Sequence, residues 1–257
     1  MIDGEGSPTV VFAAGLNGTA LHWARVQPAI ALRTRTVAFD KAGMGFSDPG
    51  PMPRTASAVV QDLRRALAAA GIPPPYVLVG HSQGGPQMRL FAFCHPHEVA
   101  GLVMVDPSGE HQDQRIDDAR AGVGGQRLNE FGRQANLNTY ARLARLGRSD
   151  ALRPGTPDYD RAIGPPMPTL PPAVWAAHVA RRTSPDFWRA LRSESAAASG
   201  RSSDEVAAAR RSLGDMPQIV LTAGRNALQR SGETAAEAAA RHAVWLTMHD
   251  EIAALST

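Results

Sequence analysis

Through residues 9 to 107 the chain alternates short apolar runs with longer stretches in which apolar residues recur every three or four positions. "TVVFAAG", "RTVAFD", "YVLVG" and "GLVMVD" are β-branched or apolar runs that end in turn residues, as strands buried in a parallel sheet do. Between Thr55 and Ala70 the residues Val59, Val60, Leu63 and Leu67 fall at helical spacing, and Gly71 is a natural stop. After Ser82, the pattern Met88, Leu90, Phe91, Phe93 with Pro86 in the first turn predicts a second helix. Strands joined by helical crossovers predict an α/β fold: an open, mostly parallel sheet with helices on both faces.

From Gly109 to about Gly214 the strand signals stop. "NLNTYARLARLG", "PPAVWAAHVARR", "SPDFWRALRSES" and "SSDEVAAARRSLG" read as helices, the last two opening with serine caps and an acidic first turn. The segment "RPGTPDYDRAIGPPMPTLPP" is rich in proline and glycine and is expected to be irregular or extended. Strand character returns in "MPQIVLTAG", followed by a helix from about Glu233 to Leu255 with Trp245, Met248, Ile252 and Leu255 on one face. The pattern divides the chain into a first core part, 1–108, an all-helical cap over one end of the sheet, 109–214, and a second core part, 215–257.

Length and composition fit one large α/β domain carrying an insertion: 257 residues, 43% of them hydrophobic. The single cysteine, Cys94, lies in an apolar helical stretch and is expected to be a buried small hydrophobe; a disulfide framework or multi-cysteine metal site is excluded. The net charge of +3 comes from arginines spread over many helices, with Lys41 the only lysine, so no nucleic-acid partner is expected. No apolar run reaches the roughly 18 residues of a membrane span, and the N-terminus lacks a positive leader before an apolar core. A soluble, cytoplasmic chain without a stable membrane span is expected.

"YVLVGHSQGGPQMRLFAF" carries the chemistry. Gly-x-Ser-x-Gly between a strand and a helix is the pattern of a nucleophile elbow, a turn so tight that small residues flank the serine and its hydroxyl stands out over the strand ends. Gly80, Gly84 and Gly85 meet that steric demand around Ser82. The glycines of "DKAGMGFSD" lack a Gly-Lys-Ser or Gly-x-Gly-x-x-Gly continuation, so that loop reads as a structural turn and no nucleotide cofactor is expected.

With "VVFAAGLNGTALHW", "VAFDKAGMGFSD" and "VLVGHSQGG" in place, residues 10 to 107 resemble the α/β-hydrolase superfamily, and among its members the esterase- and lipase-like ones with a helical cap. The resemblance implies that Ser82 is the nucleophile and that the backbone N-H groups of Leu16 and Gln83 form an oxyanion hole. Ala14 stands where such enzymes often carry the histidine of a His-Gly pair. It also implies a small ester-like substrate, no metal and no cofactor. Trp23, Trp175 and Phe187, with Trp188 and Met167, are candidates for lining the substrate pocket; inward packing of the same aromatics explains their spacing equally.

A neutral serine needs a base, itself oriented by a carboxylate, and in this fold the chain order is serine, acid, histidine. No aspartate follows "QIVLTAG", where Asn226 stands, so Asp106 after "GLVMV" is the favoured acid, with Glu110 a weaker candidate. In the family the histidine follows one further strand, and this sequence reaches Thr257 without it. His81 lies inside the elbow, His95 and His97 at a helix end, His111 and His178 in the cap, and His242 and His249 on the last helix. None occupies the family's position. Two readings follow: a serine hydrolase of esters or related acyl substrates, with its activity impaired by that missing histidine, or a noncatalytic binding or scaffolding protein that keeps the pocket.

Overall fold

The computed structural model describes residues 1–127, 129–167, 170–224 and 229–257, without the side chains of Glu130 and Phe131. Asn226 lies outside the described residues.

The sheet is built from β1 (Ile2–Asp3), β2 (Thr9–Ala13), β3 (Thr36–Ala38), β4 (Tyr76–His81), β5 (Val99–Val105) and β6 (Gln218–Leu221), in the order β1-β3-β2-β4-β5-β6. Every pairing is parallel except that of β1 with β3. The five strands expected from the apolar runs are present; β1, two residues long, carries no pattern a sequence reading can detect. β2 and β4 lie side by side at the centre, with Ala13 opposite Gly80, so the loop after β2 and the corner after β4 emerge together at one end of the sheet.

Helices cover both faces. α2 (Ala56–Ala69) buries Val59, Val60, Leu63 and Leu67, the stripe read from spacing, and Thr55 caps it by accepting from the Ala58 N-H. α3 (Gly84–Cys94) runs through the core, with Met88, Phe91 and Phe93 fully buried. The short α1 (Gln27–Ala31) packs near β1 and β3. Cys94, expected to be buried, is exposed, because it is the last residue of α3 and points past the end of the core.

Between β5 and β6 the described chain forms α4 (Gln112–Gly122), α5 (Asn129–Arg148), α6 (Pro157–Ile163), α7 (Pro172–Arg182), α8 (Pro185–Ala198) and α9 (Arg201–Ala209). Two expectations are corrected. The proline-rich stretch holds α6, started by Thr156, which accepts from the Tyr159 N-H, and by Pro157 at the first helical position. Ser184 does cap α8, but Ser202 and Ser203 do not cap α9: they lie buried in its first turn, where their hydroxyls accept from the N-H groups of Ala56 and His111. α10 (Ala235–Ala253) starts with a capping box between Thr234 and Glu237 and buries Met248 and Ile252. β6 closes the sheet on that side and presents Ile219 and Leu221 to solvent. No helix among the described residues is long and apolar enough to cross a membrane.

Candidate active site

Ser82 follows β4 directly and has φ +48°, a backbone conformation that L-residues rarely hold and that a tight strand-to-helix corner imposes. The corner demands glycine on both sides. A Cβ on Gly80 would lie 2.7 Å from the Gly84 carbonyl oxygen, and one on Gly84 would lie 2.5 Å from the Ala13 carbonyl oxygen. The turn is stitched to its neighbours by the Ser82 N-H donating to the Val105 carbonyl, and by the N-H groups of Gly85 and Ser108 donating to the Ser82 carbonyl.

The loop after β2 passes over this corner. A Cβ built on Gly15 would come within 3.0 Å of the Ser82 Cβ. Leu16, Ser82 and Gln83 line one cavity of about 330 Å³. Neither the Leu16 N-H nor the Gln83 N-H has a hydrogen-bond acceptor among the described residues. Gln83 stands at the start of α3, where free N-H groups and the positive end of the helix dipole favour negative charge. Two unpaired donors beside a strained serine are the arrangement that stabilises an oxyanion.

Two side chains, Lys41 and Arg182, fix that loop from outside, and Gln87 steadies the carboxylate that pairs with the first. Lys41 Nζ donates to the Gly15 carbonyl at 3.0 Å and to Glu194 Oε1 of α8 at 2.5 Å. Gln87 Nε2 donates to the same carboxylate at 2.9 Å. From α7, Arg182 donates to the Asn17 carbonyl, to the Asn17 side-chain oxygen and to the Ala162 carbonyl, and its guanidinium packs over Phe187 and Trp188. Burial without a carboxylate partner lowers the Arg182 pKa to about 10, so the group stays charged at neutral pH. Asn17 itself has φ +64°. The helical segment therefore holds the Gly15-Leu16-Asn17 turn at both ends. None of these three side chains was singled out in the sequence for this role, since a lone lysine or arginine carries no motif. The "DKAGMGFSD" loop closes on itself as a structural turn, with Asp40 accepting from the N-H groups of Ala20 and Phe46.

Asp106 follows β5 directly with φ +45°, and its Oδ1 accepts from the Ala223 N-H at 2.9 Å and from Trp245 Nε1 at 3.0 Å. Glu110 is engaged elsewhere, 3.0 Å from Arg89 and 3.6 Å from Arg210. His249 is buried, and both ring nitrogens are used: Nε2 lies 2.9 Å from the Pro107 carbonyl and Nδ1 lies 2.7 Å from Thr222 Oγ1. A carbonyl only accepts, so Nε2 carries the proton, and the neutral Nδ1 accepts from the threonine hydroxyl. Burial holds this imidazole below the ordinary histidine range. Among the described residues no histidine lines the cavity at Ser82.

The aromatic candidates lie away from that cavity. Trp23 is buried against Phe12, with ring centroids 5.0 Å apart. Phe187 is buried inside the helical segment against Trp188, and Trp175, half-buried against the same cluster, stacks on the buried His178 of α7. In their place the cavity wall is polar, with Gln112, Asp113, Asn129, Asn136 and Ser199 from α4, α5 and the end of α8. Asp113 accepts a hydrogen bond from the Ser199 hydroxyl, while Gln112 Oε1 is buried without a partner among the described residues. Among the described residues no group of histidine, cysteine, aspartate and glutamate side chains is arranged to hold a metal ion.

A sequence model of the family described as alpha/beta hydrolase fold matches residues 8–224. YqjL of Bacillus subtilis strain 168 is 33% identical over 105 residues, which are 41% of this chain and 42% of that one. The sn-1-specific diacylglycerol lipase ABHD11 of Mus musculus is 36% identical over 111 residues, 42% of this chain and 36% of the lipase. The chain thus spans less than half the length of these curated relatives. Among solved structures, ALR0039 from Nostoc sp PCC 7120 matches with a TM-score of 0.67 at 18% identity, over 96% of this chain and 81% of that one. The epoxide hydrolase CorEH matches with a TM-score of 0.59 at 18% identity, over 85% and 75%. At these identities the structural matches speak to the fold.

Proposed function

The chain belongs to the alpha/beta hydrolase fold family, and from that premise we propose that it is a hydrolase acting on carboxylic esters or related acyl compounds through Ser82. The observation that carries this reading is the strained serine with the unpaired N-H groups of Leu16 and Gln83 in one cavity. Ser82 Oγ attacks the carbonyl carbon, and the carbonyl oxygen takes up the displaced electron pair as an oxyanion facing the two N-H groups. Each such donor is worth about 3 kcal/mol in the transition state. Collapse of the tetrahedral species expels the alcohol with the serine proton, leaving an acyl group on Ser82. Water then attacks the acyl carbon, releases the acid and returns the proton to Ser82. Asp106, held in place by Trp245 and Ala223, is the carboxylate that this reading assigns to the acid position. The helical segment, 109–214, acts as a cap, and its polar wall favours a short or hydrogen-bonding acyl or alcohol portion over a long alkyl chain.

Hydrolysis of p-nitrophenyl acetate, butyrate and octanoate by the wild type and Ser82→Ala tests the proposal. The substitution is expected to bring every rate down to that without protein, and the octanoate is expected to be the poorest substrate. Equal rates for the two proteins would sink the assignment of Ser82.

A second reading, a noncatalytic binding protein, is favoured by one observation: no histidine lines the cavity among the described residues. It predicts that the wild type shows no turnover of any ester while still protecting the cavity residues from hydrogen exchange when a short ester is added.

A further inference from the structure

On the other side of α8 from the Ser82 cavity lies a second concavity, of about 600 Å³, that shares no lining residue with the first. Its walls are the last turns of α5 and the outer face of α8, with Met52 and Pro53 at one rim. Alanines at 141, 144, 196 and 197 keep its floor low. Around it stand five arginines, Arg145, Arg148, Arg189, Arg192 and Arg201, and no aspartate or glutamate is among the lining residues. Arg189 is 3.3 Å from Asp186, an exposed pair that solvent screens, and the exposed Arg201 is 3.4 Å from the half-buried Glu205, which also accepts from the Ser57 N-H. The side chains of Arg145, Arg148 and Arg192 have no ion pair or side-chain hydrogen bond among the described residues.

Arginine on a helix surface needs no explanation by itself, and the positive groups at 145 and 148 complement the C-terminal end of α5. That account stops there. Arg192 lies within α8, and Arg201 opens α9, where the helix dipole disfavours a cation. The pairs Arg145/Arg148 and Arg189/Arg192 each put like charges three residues apart, an unfavourable spacing, and the two pairs line the same concavity from facing helices. A concave surface lined by one sign of charge concentrates counter-ions, and guanidinium forks match phosphate oxygens two at a time.

We propose that the arginine-lined concavity between α5 and α8 binds a ligand carrying two or more phosphate groups. Three unpaired and two weakly paired guanidinium groups balance the charge of a diphosphate or triphosphate, and the volume leaves space for the group that bears it. The site stands apart from Ser82 and does not depend on its chemistry.

Calorimetric titration with sodium tripolyphosphate, against sodium sulfate at matched ionic strength, tests the proposal. Co-sedimentation with phosphatidylcholine vesicles, with and without phosphatidylinositol 4,5-bisphosphate, distinguishes a free polyphosphate from a lipid headgroup as the source. Saturable binding of tripolyphosphate, or of the phosphatidylinositol 4,5-bisphosphate vesicles alone, is expected. The exposed substitutions Arg145→Gln with Arg192→Gln should weaken it about tenfold or more, the loss expected for charge-assisted contacts. Arg148→Gln with Arg189→Gln should act alike if the first pair disturbs folding, and Ser82→Ala should bind as the wild type does. Tripolyphosphate binding no stronger than that of sulfate together with vesicle binding no stronger than to phosphatidylcholine alone, or unchanged affinity in both arginine pairs, would overturn the proposal.

Discussion

Lys41 and Glu194, 153 residues apart in the sequence, form a buried ion pair with Nζ 2.5 Å from Oε1. The pair joins the loop after β3 to α8, and through the second Lys41 hydrogen bond it reaches the Gly15 carbonyl, one residue before Leu16. A buried pair of this kind contributes little net stability, but removing one partner strands the other. Lys41→Met is therefore expected to cost about 3–5 kcal/mol in chemical denaturation. Lys41→Met with Glu194→Leu should recover most of that loss. The Gly15 carbonyl stays unanchored in both, so the reaction of Ser82 with an activated ester should remain slow in the stable double variant. Recovery of the rate along with the stability would limit Lys41 to a structural role.

His178 sets an acid limit. It is buried in α7 beside Trp175, and burial, with the nearby Arg182 charge adding to it, lowers its pKa to about 4 from an ordinary 6.5. The unfolded chain then binds a proton that the folded chain refuses, so stability falls as pH drops from 6.5 towards 4 and levels off for this group below that. The full loss is on the order of 3 kcal/mol. Thermal unfolding followed between pH 7 and pH 4 should show the decline in the wild type and a flatter profile in His178→Phe. Parallel profiles would assign the acid sensitivity to other groups.

His249 is expected to be structural. With Nε2 held by the Pro107 carbonyl and Nδ1 by the Thr222 hydroxyl, it has no nitrogen left for a proton from Ser82. His249→Gln should cost about 1–3 kcal/mol of stability, the penalty for disturbing buried hydrogen bonds. The rate of Ser82 acylation per folded molecule should be unchanged. A fall in that rate by orders of magnitude without unfolding would make His249 the base.

The elbow was legible because its cause is largely local: the clash at Gly80 is with Gly84 and Gly85 of the same turn, and the flanking apolar runs identify the strand and the helix. The cavity wall was not. α4, "QDQRIDDARAG", has no apolar stripe, and its position is set by distant partners such as Glu251, which Arg115 grips with both Nη atoms at 2.8 Å. Amphipathic spacing told that Phe187 faces inward, but a helix facing its own neighbours and a helix facing a ligand have the same period. α6 did announce itself, by Thr156 and Pro157, within a stretch whose proline content argued for a loop. The anchors Lys41 and Arg182 act through long-range contacts, which no spacing rule encodes.

The central claim is that Ser82, and no other serine, is the activated nucleophile. It is tested most directly by intact-mass and peptide analysis after treatment with a fluorophosphonate, which reacts with an activated serine beside oxyanion donors and passes over ordinary ones. One adduct per folded chain is expected, on the peptide containing Ser82, absent from Ser82→Ala and from heat-unfolded protein. An adduct that survives Ser82→Ala, or labelling no faster in the folded than in the unfolded chain, would contradict the account.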